Sequence, residues 1–134
     1  MAGYSGTPLA KKLGIKDGAE VVSLAAPEGF ADLIDGVRVI AAARVPKRAD
    51  VLVAFFTKRA DLERRIDACG NAIYPDGGLW VAWPKRASGV PTDITEDTVR
   101  DVALPLGLVD NKVCAIDDVW SGLRVVWRRE RRLR

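Results

Sequence analysis

Histidine is absent from these 134 residues, and there are two cysteines and one methionine. Without an imidazole, the Ser-His-Asp and Cys-His nucleophilic arrangements are excluded, and with them the usual zinc sites. Cys69 and Cys114 are too few, and too far apart in sequence, for a disulfide framework or a metal site. No G-x-x-x-x-G-K-[ST] loop is present to cradle nucleotide phosphates. Long apolar runs are missing too: the stretch 51–56 falls far short of the roughly 20 residues of a membrane helix. The opening MAGYSGTPLAKKLGI has no apolar h-region of a secretory signal. The expectation is a single α/β domain over residues 1–134, reduced and cytoplasmic, with no membrane partner.

Charge of one sign is scarce except at one end. Five arginines against Glu130 give residues 128–134 a charge of +4, so of the chain's +3 the first 127 residues carry −1. The basicity belongs to the tail. Such a tail can attract RNA, but no stacking aromatics or recognisable module accompany it, so nucleic acid is disfavoured as a partner and a solvated, frayed end is expected.

What is present is an alternation of apolar strands and amphipathic helices. Thr7-Pro8 opens a short helix closed by Gly14. A strand over 20–26 leads to a short helix opened by Pro27-Glu28, with Phe30, Leu33 and Ile34 facing inward, and a second strand covers 37–40. Residues 51–56 are continuously apolar, as in a strand buried on both faces. Leu62, Ile66, Cys69 and Ile73 recur at helical spacing over about 58–73, with Thr57 as N-cap, and place Cys69 in the core. A strand over 79–83 precedes a helix with Val99, Val102, Ala103 and Leu106 on one side. Two strands, 109–116 and 123–129, flank a turn at Asp117-Asp118. This order predicts a three-layer, mostly parallel sheet of about six strands ending in an antiparallel hairpin.

From residue 51 onward, this order resembles the C-terminal half of the class I methyltransferase fold, in truncated form. The first half matches only that fold's opening strand–helix–strand. Residues 41–49 replace a longer insertion, and when extended they reach about 30 Å, against roughly 22 Å needed to return and cross two strand spacings. Together GYSGTPLAKKLGI, APEGF, LWVAWPKRASGVPTD and WSGLRVV resemble a bacterial family known as domain of unknown function 3052. That resemblance implies a fold but no activity. In methyltransferases a glycine-rich turn follows the first strand and an acid follows the second. Here Ala26-Pro27-Glu28-Gly29-Phe30 and Ala41-Ala42-Ala43-Arg44 stand in those places. The expectation drawn from these two departures is that no cofactor is used and S-adenosylmethionine does not bind.

Asp93, Glu96 and Asp97, like Asp117 and Asp118, could serve acid–base chemistry, but helix capping and turn formation explain them more simply, so no catalytic residue is assigned. The carboxyl ends of the strands, where ligands of open α/β sheets bind, collect cations. Arg44 follows the second strand, Lys58 and Arg59 the third, and Lys85 and Arg86 the fourth. Lys58 and Arg59 stand at a helix start, where the macrodipole disfavours cations and a bound anion would relieve the conflict. Ser88 and Thr92 add neutral donors in a long loop, 84–94, which reads as a flap over that edge. A small anionic or nucleotide-like ligand bound without catalysis is the first reading. A homodimeric interaction module is the alternative, and an unassigned enzyme the third.

Overall fold

The computed structural model describes residues 7–132. Residues 3–6 of the GYSGTPLAKKLGI stretch, and Leu133 and Arg134 of the basic tail, lie outside the described residues. Six strands form one sheet: β1 (Val21–Leu24), β2 (Val39–Ala42), β3 (Val51–Phe55), β4 (Gly78–Pro84), β5 (Leu108–Ala115) and β6 (Trp120–Trp127), in the order β2-β1-β3-β4-β6-β5. The first four pair in parallel; β6 runs antiparallel to both β4 and β5. The fold class expected from the sequence is the one observed, and the second and third strands lie on either side of the first, the order of the fold that the sequence resembles.

Side chains alternate across β3 and β4, and two cores result. On one face Leu52, Ala54, Leu79 and Val81 meet the apolar stripe Leu62, Ile66, Cys69 and Ile73 of α2 (Arg59–Ile73), together with Val99 and Ala103 of α3 (Glu96–Ala103). On the other face Val51, Val53, Trp80 and Ala82 meet Phe30, Ile34 and Leu13, the last at the end of α1 (Leu9–Lys12). Trp80 is fully buried, and its indole Nε1 donates to the Leu13 carbonyl at 2.9 Å, so the ring closes the second core without leaving a polar atom unmatched. Burial pushes the Cys69 thiol up to about 12, with Arg65 opposing, and pushes Cys114 up as well. Buried and held in its thiol form, Cys69 is a packing residue of the core.

Several local expectations shift. The segment opened by Pro27-Glu28 is a turn followed by a single 3-10 turn, Ala31–Leu33, which buries Phe30 and Ile34 but leaves Leu33 44% exposed. One tight turn can aim only two of the three side chains inward. The second strand lies two residues later than expected. The tail is not frayed as far as it is described: β6 ends at Trp127, and α4 (Arg129–Arg132) docks back. The Tyr74 hydroxyl donates to the Arg131 carbonyl at 3.0 Å, and Arg132 Nε donates to the Trp127 carbonyl at 2.8 Å. Among the described residues no helix is long and apolar enough to cross a membrane. The sheet edges are β2 and β5, each with an exposed apolar side chain, Ile40 and Val113.

Candidate functional site

The chain leaves β1 toward β2 on one side and leaves β3 toward β4 on the other. The carboxyl ends of β1 and β3 therefore flank the point where strand order reverses, the place at which open α/β sheets bind ligands. A cleft of about 300 Å³ lies there, at the lower end of small-molecule sites. Ala25, Phe55, Phe56 and Trp120 form its apolar part; Thr57, Asp61, Arg64 and Arg65 supply polar groups. Phe55 packs edge-on between Phe30 and Trp120, with ring centroids 4.9 and 5.0 Å away, so the aromatic wall is rigid.

The backbone at the end of β1 is unusual. Ala25 adopts φ 55°, the left-handed region that a residue with a Cβ seldom enters, while its N–H donates to the Ala42 carbonyl at 3.1 Å. Gly29 takes φ 86° four residues on, with open space where a Cβ would point. Such strain collects where a ligand or a tight turn demands it. Arg64 pairs with Asp61 at 2.9 Å. Arg65 has no hydrogen-bond or ion-pair partner among the described residues. Asp61, Arg64, Arg65 and Trp120 were not candidates from the sequence. On α2 the three charged residues read as a solvated helical face, and only the strand order brings them over the end of β1.

The candidates that the sequence did nominate are placed as follows. Arg44 is exposed beyond β2, and Lys58 is exposed as the N-cap residue of α2, one position later than the expected cap, Thr57. Arg59 ion-pairs with Glu63 at 3.2 Å. The N-terminus of α2 already has an internal anion: the Arg59 N–H donates to Asp93 Oδ1 at 2.7 Å. Asp93 thus caps α2 rather than α3, whose capping box joins Thr95 and Thr98 instead. Thr92 Oγ1 donates to the Thr57 carbonyl at 2.6 Å and accepts from Ile94 N–H at 3.1 Å. Ser88 donates to the Lys85 carbonyl at 2.6 Å, closing a 3-10 turn, Arg86–Ser88, on which Arg86 is exposed. Lys85 Nζ turns toward the hairpin and donates to the Asp117 carbonyl at 2.8 Å.

The loop 84–94 is therefore stitched to α2 at one end and to the hairpin turn at the other. The acids are structural as well. Arg100 bonds Asp110 at 3.0 Å, Asp97 at 3.1 Å and Glu96, and the bonds to Asp110 and then Glu96 hold its pKa above the ordinary arginine value. Asp117 Oδ1 accepts from the N–H groups of Val119 and Trp120 at 2.8 and 2.7 Å.

No family model matches the chain, and no curated protein matches it in sequence. Solved structures do match. Magnesium protoporphyrin IX methyltransferase (ChlM) from Synechocystis PCC 6803 with bound SAM aligns at TM-score 0.62 and 8% identity, over 90% of this chain and 76% of that one. The mitomycin 7-O-methyltransferase MmcR aligns at 0.64 and 15%, over 90% of this chain and 53% of that one. A SAM-dependent methyltransferase from Aquifex aeolicus aligns at 0.59 and 13%, over 87% and 86%. The fold of this chain is that of the class I methyltransferases.

One expectation is corrected by these structures. The sequence argued that S-adenosylmethionine does not bind; neighbours on this same scaffold hold SAM or SAH. A glycine-rich run is one way to provide the turn conformation after the first strand, and it is not the only one. Here Ala25 and Gly29 supply left-handed residues after β1 without that run. The scaffold these residues build is one that carries the cofactor elsewhere.

Proposed function

We propose that the cleft at the carboxyl ends of β1 and β3 binds a small nucleotide-like ligand, with S-adenosylmethionine the first candidate. One observation carries this reading: the cleft stands where strand order reverses, beside a left-handed turn, and joins an aromatic wall to guanidinium groups. The residues present fit the parts of such a molecule. Arg65, with Arg64 beside it, would hold an aliphatic carboxylate, and the Phe55–Trp120 wall offers an apolar face to a base or a sulfonium. The position after β2, where related folds place a ribose acceptor, is held by Ala43 and Arg44, so ribose recognition would fall to other groups of the cleft. Bound, S-adenosylmethionine would supply an activated methyl group; no residue of this chain is assigned a chemical step.

Calorimetric titration with S-adenosylmethionine, S-adenosylhomocysteine and adenosine tests the proposal. Saturable binding of one of them is expected, weakened about tenfold or more by Arg65→Gln, the loss of a charge-assisted hydrogen bond. Arg65→Gln should leave the melting temperature nearly unchanged, because Arg65 is only partly buried and has no hydrogen-bond or ion-pair partner among the described residues to lose, and such changes seldom alter stability by more than ~0.5 kcal/mol. Failure of all three probes to bind would overturn the nucleotide-like reading.

A further inference from the structure

At the opposite, amino edge of the sheet a cavity of about 550 Å³ opens between the turn before β1, the start of β3 and the turn before β4. Arg124 of β6 reaches into it. It pairs in register with Trp80, so it projects from the same sheet face, beside Gly78. The guanidinium occupies the place a side chain would fill: a Cβ on Gly78 would lie 2.6 Å from Nε and 2.7 Å from Nη2 of Arg124. Among the described residues it has neither a hydrogen-bond nor an ion-pair partner. A half-buried planar cation with all its donors free, seated on a glycine, is an arrangement matched to a carboxylate.

We propose that this cavity is a second binding site, for a small zwitterion whose carboxylate is held by Arg124 and whose cationic group faces the acids at the rim. The rim fixes the ligand's charge. Asp17, Asp50 and Asp76 line it against Lys16 and Arg48, all five exposed, so the lining with Arg124 is balanced. A polyanion would meet three carboxylates as well as the three cations. A molecule carrying one charge of each sign meets complementary groups. Asp50 is oriented by the Glu20 N–H, which donates to its Oδ2 at 2.8 Å. The environment of Arg124 agrees with the geometry: burial first, and then Arg132, depress its pKa, and an oxyanion placed against it would reverse that effect. This site does not depend on the carboxyl-edge reading; the two lie at opposite ends of the strands.

The probes are 4-aminobutyrate, acetate and inorganic phosphate at matched ionic strength, followed through the arginine Nε–Hε signals by NMR. The Arg124 signal should shift saturably with 4-aminobutyrate, and with acetate at higher concentration. Arg124→Gln should weaken 4-aminobutyrate binding about tenfold or more, with Arg124→Lys between the two. Gly78→Ala keeps the charge but evicts the guanidinium from its seat, and should weaken binding in the same direction. The proposal is overturned if no probe gives a saturable shift, if Arg124→Gln binds like the parent protein, or if phosphate binds more tightly than 4-aminobutyrate.

Discussion

Two cations, Lys85 at the carboxyl edge and Arg124 at the amino edge, are held in opposite ways. At the carboxyl edge Lys85, Ser88, Thr92 and Arg59 are hydrogen-bonded within the protein, and Asp93 stands where an external anion was expected. At the amino edge a single arginine sits half-buried on a glycine with its donors free. Clusters of charge in the sequence marked the first edge and overlooked the second. What distinguishes a binding cation from a structural one is whether its donors already have partners, and partners are set by tertiary geometry.

The comparison presumes one rigid sheet carrying both edges, and Trp80 is where that presumption breaks most readily. Its ring fills the second core beside Arg124, and its Nε1 holds Leu13, next to Gly14 on the wall of the amino-edge cavity. Trp80→Ala should cost ~3–5 kcal/mol in urea denaturation, as large-to-small changes in packed cores do. A loss below about 1 kcal/mol would mean that the wall is not anchored through this residue.

A smaller effect is expected where the carboxyl edge is stitched together. Asp93→Ala removes the carboxylate that accepts from Arg59 N–H, and should destabilise by ~0.5–2 kcal/mol, as loss of a helix N-cap does. Adding sulfate should recover part of this loss by occupying the vacated helix N-terminus. If Asp93→Ala melts like the parent, the internal anion is dispensable and the expected external site at Lys58 returns.

Most of the fold was legible because its signals are local. The continuous apolar run at 51–56 gave a strand buried on both faces, and the Leu62–Ile66–Cys69–Ile73 stripe gave the longest helix nearly to the residue. The strand order was anticipated from the resemblance to the class I methyltransferase fold, and the nine-residue link from β2 to β3 is long enough to allow it. The candidate sites were not legible in this way. Asp93 has the spacing of a capping box with Glu96, yet it caps a helix 34 residues earlier in the chain. Arg124 sits between Leu123 and Val125 with nothing in its neighbourhood to mark it, and Gly78 opens the seat for it from another strand. The turn after β1 misled for a related reason: Ala25 takes a conformation that its identity argues against.

The smallest effects decide the comparison most directly, because they contrast two cations in a single assay. Lys85→Met removes an ammonium that donates to the Asp117 carbonyl at 2.8 Å while keeping an apolar stem of similar length. Hydrogen bonds from charged groups contribute more than neutral ones, but Lys85 is half-exposed, so a loss of about 0.5–1 kcal/mol is expected. Arg124→Met removes a guanidinium that bonds nothing among the described residues. No interaction is lost, the desolvation cost of a half-buried charge is relieved, and the stem still covers Gly78. Its effect should lie within about 0.5 kcal/mol of zero, and on the stabilising side. Paired urea melts of the two variants, without added ligand, provide the measurement. If Arg124→Met proves the more damaging of the two, the arginine is a structural strut, and the difference between the edges is not one of free against engaged charge.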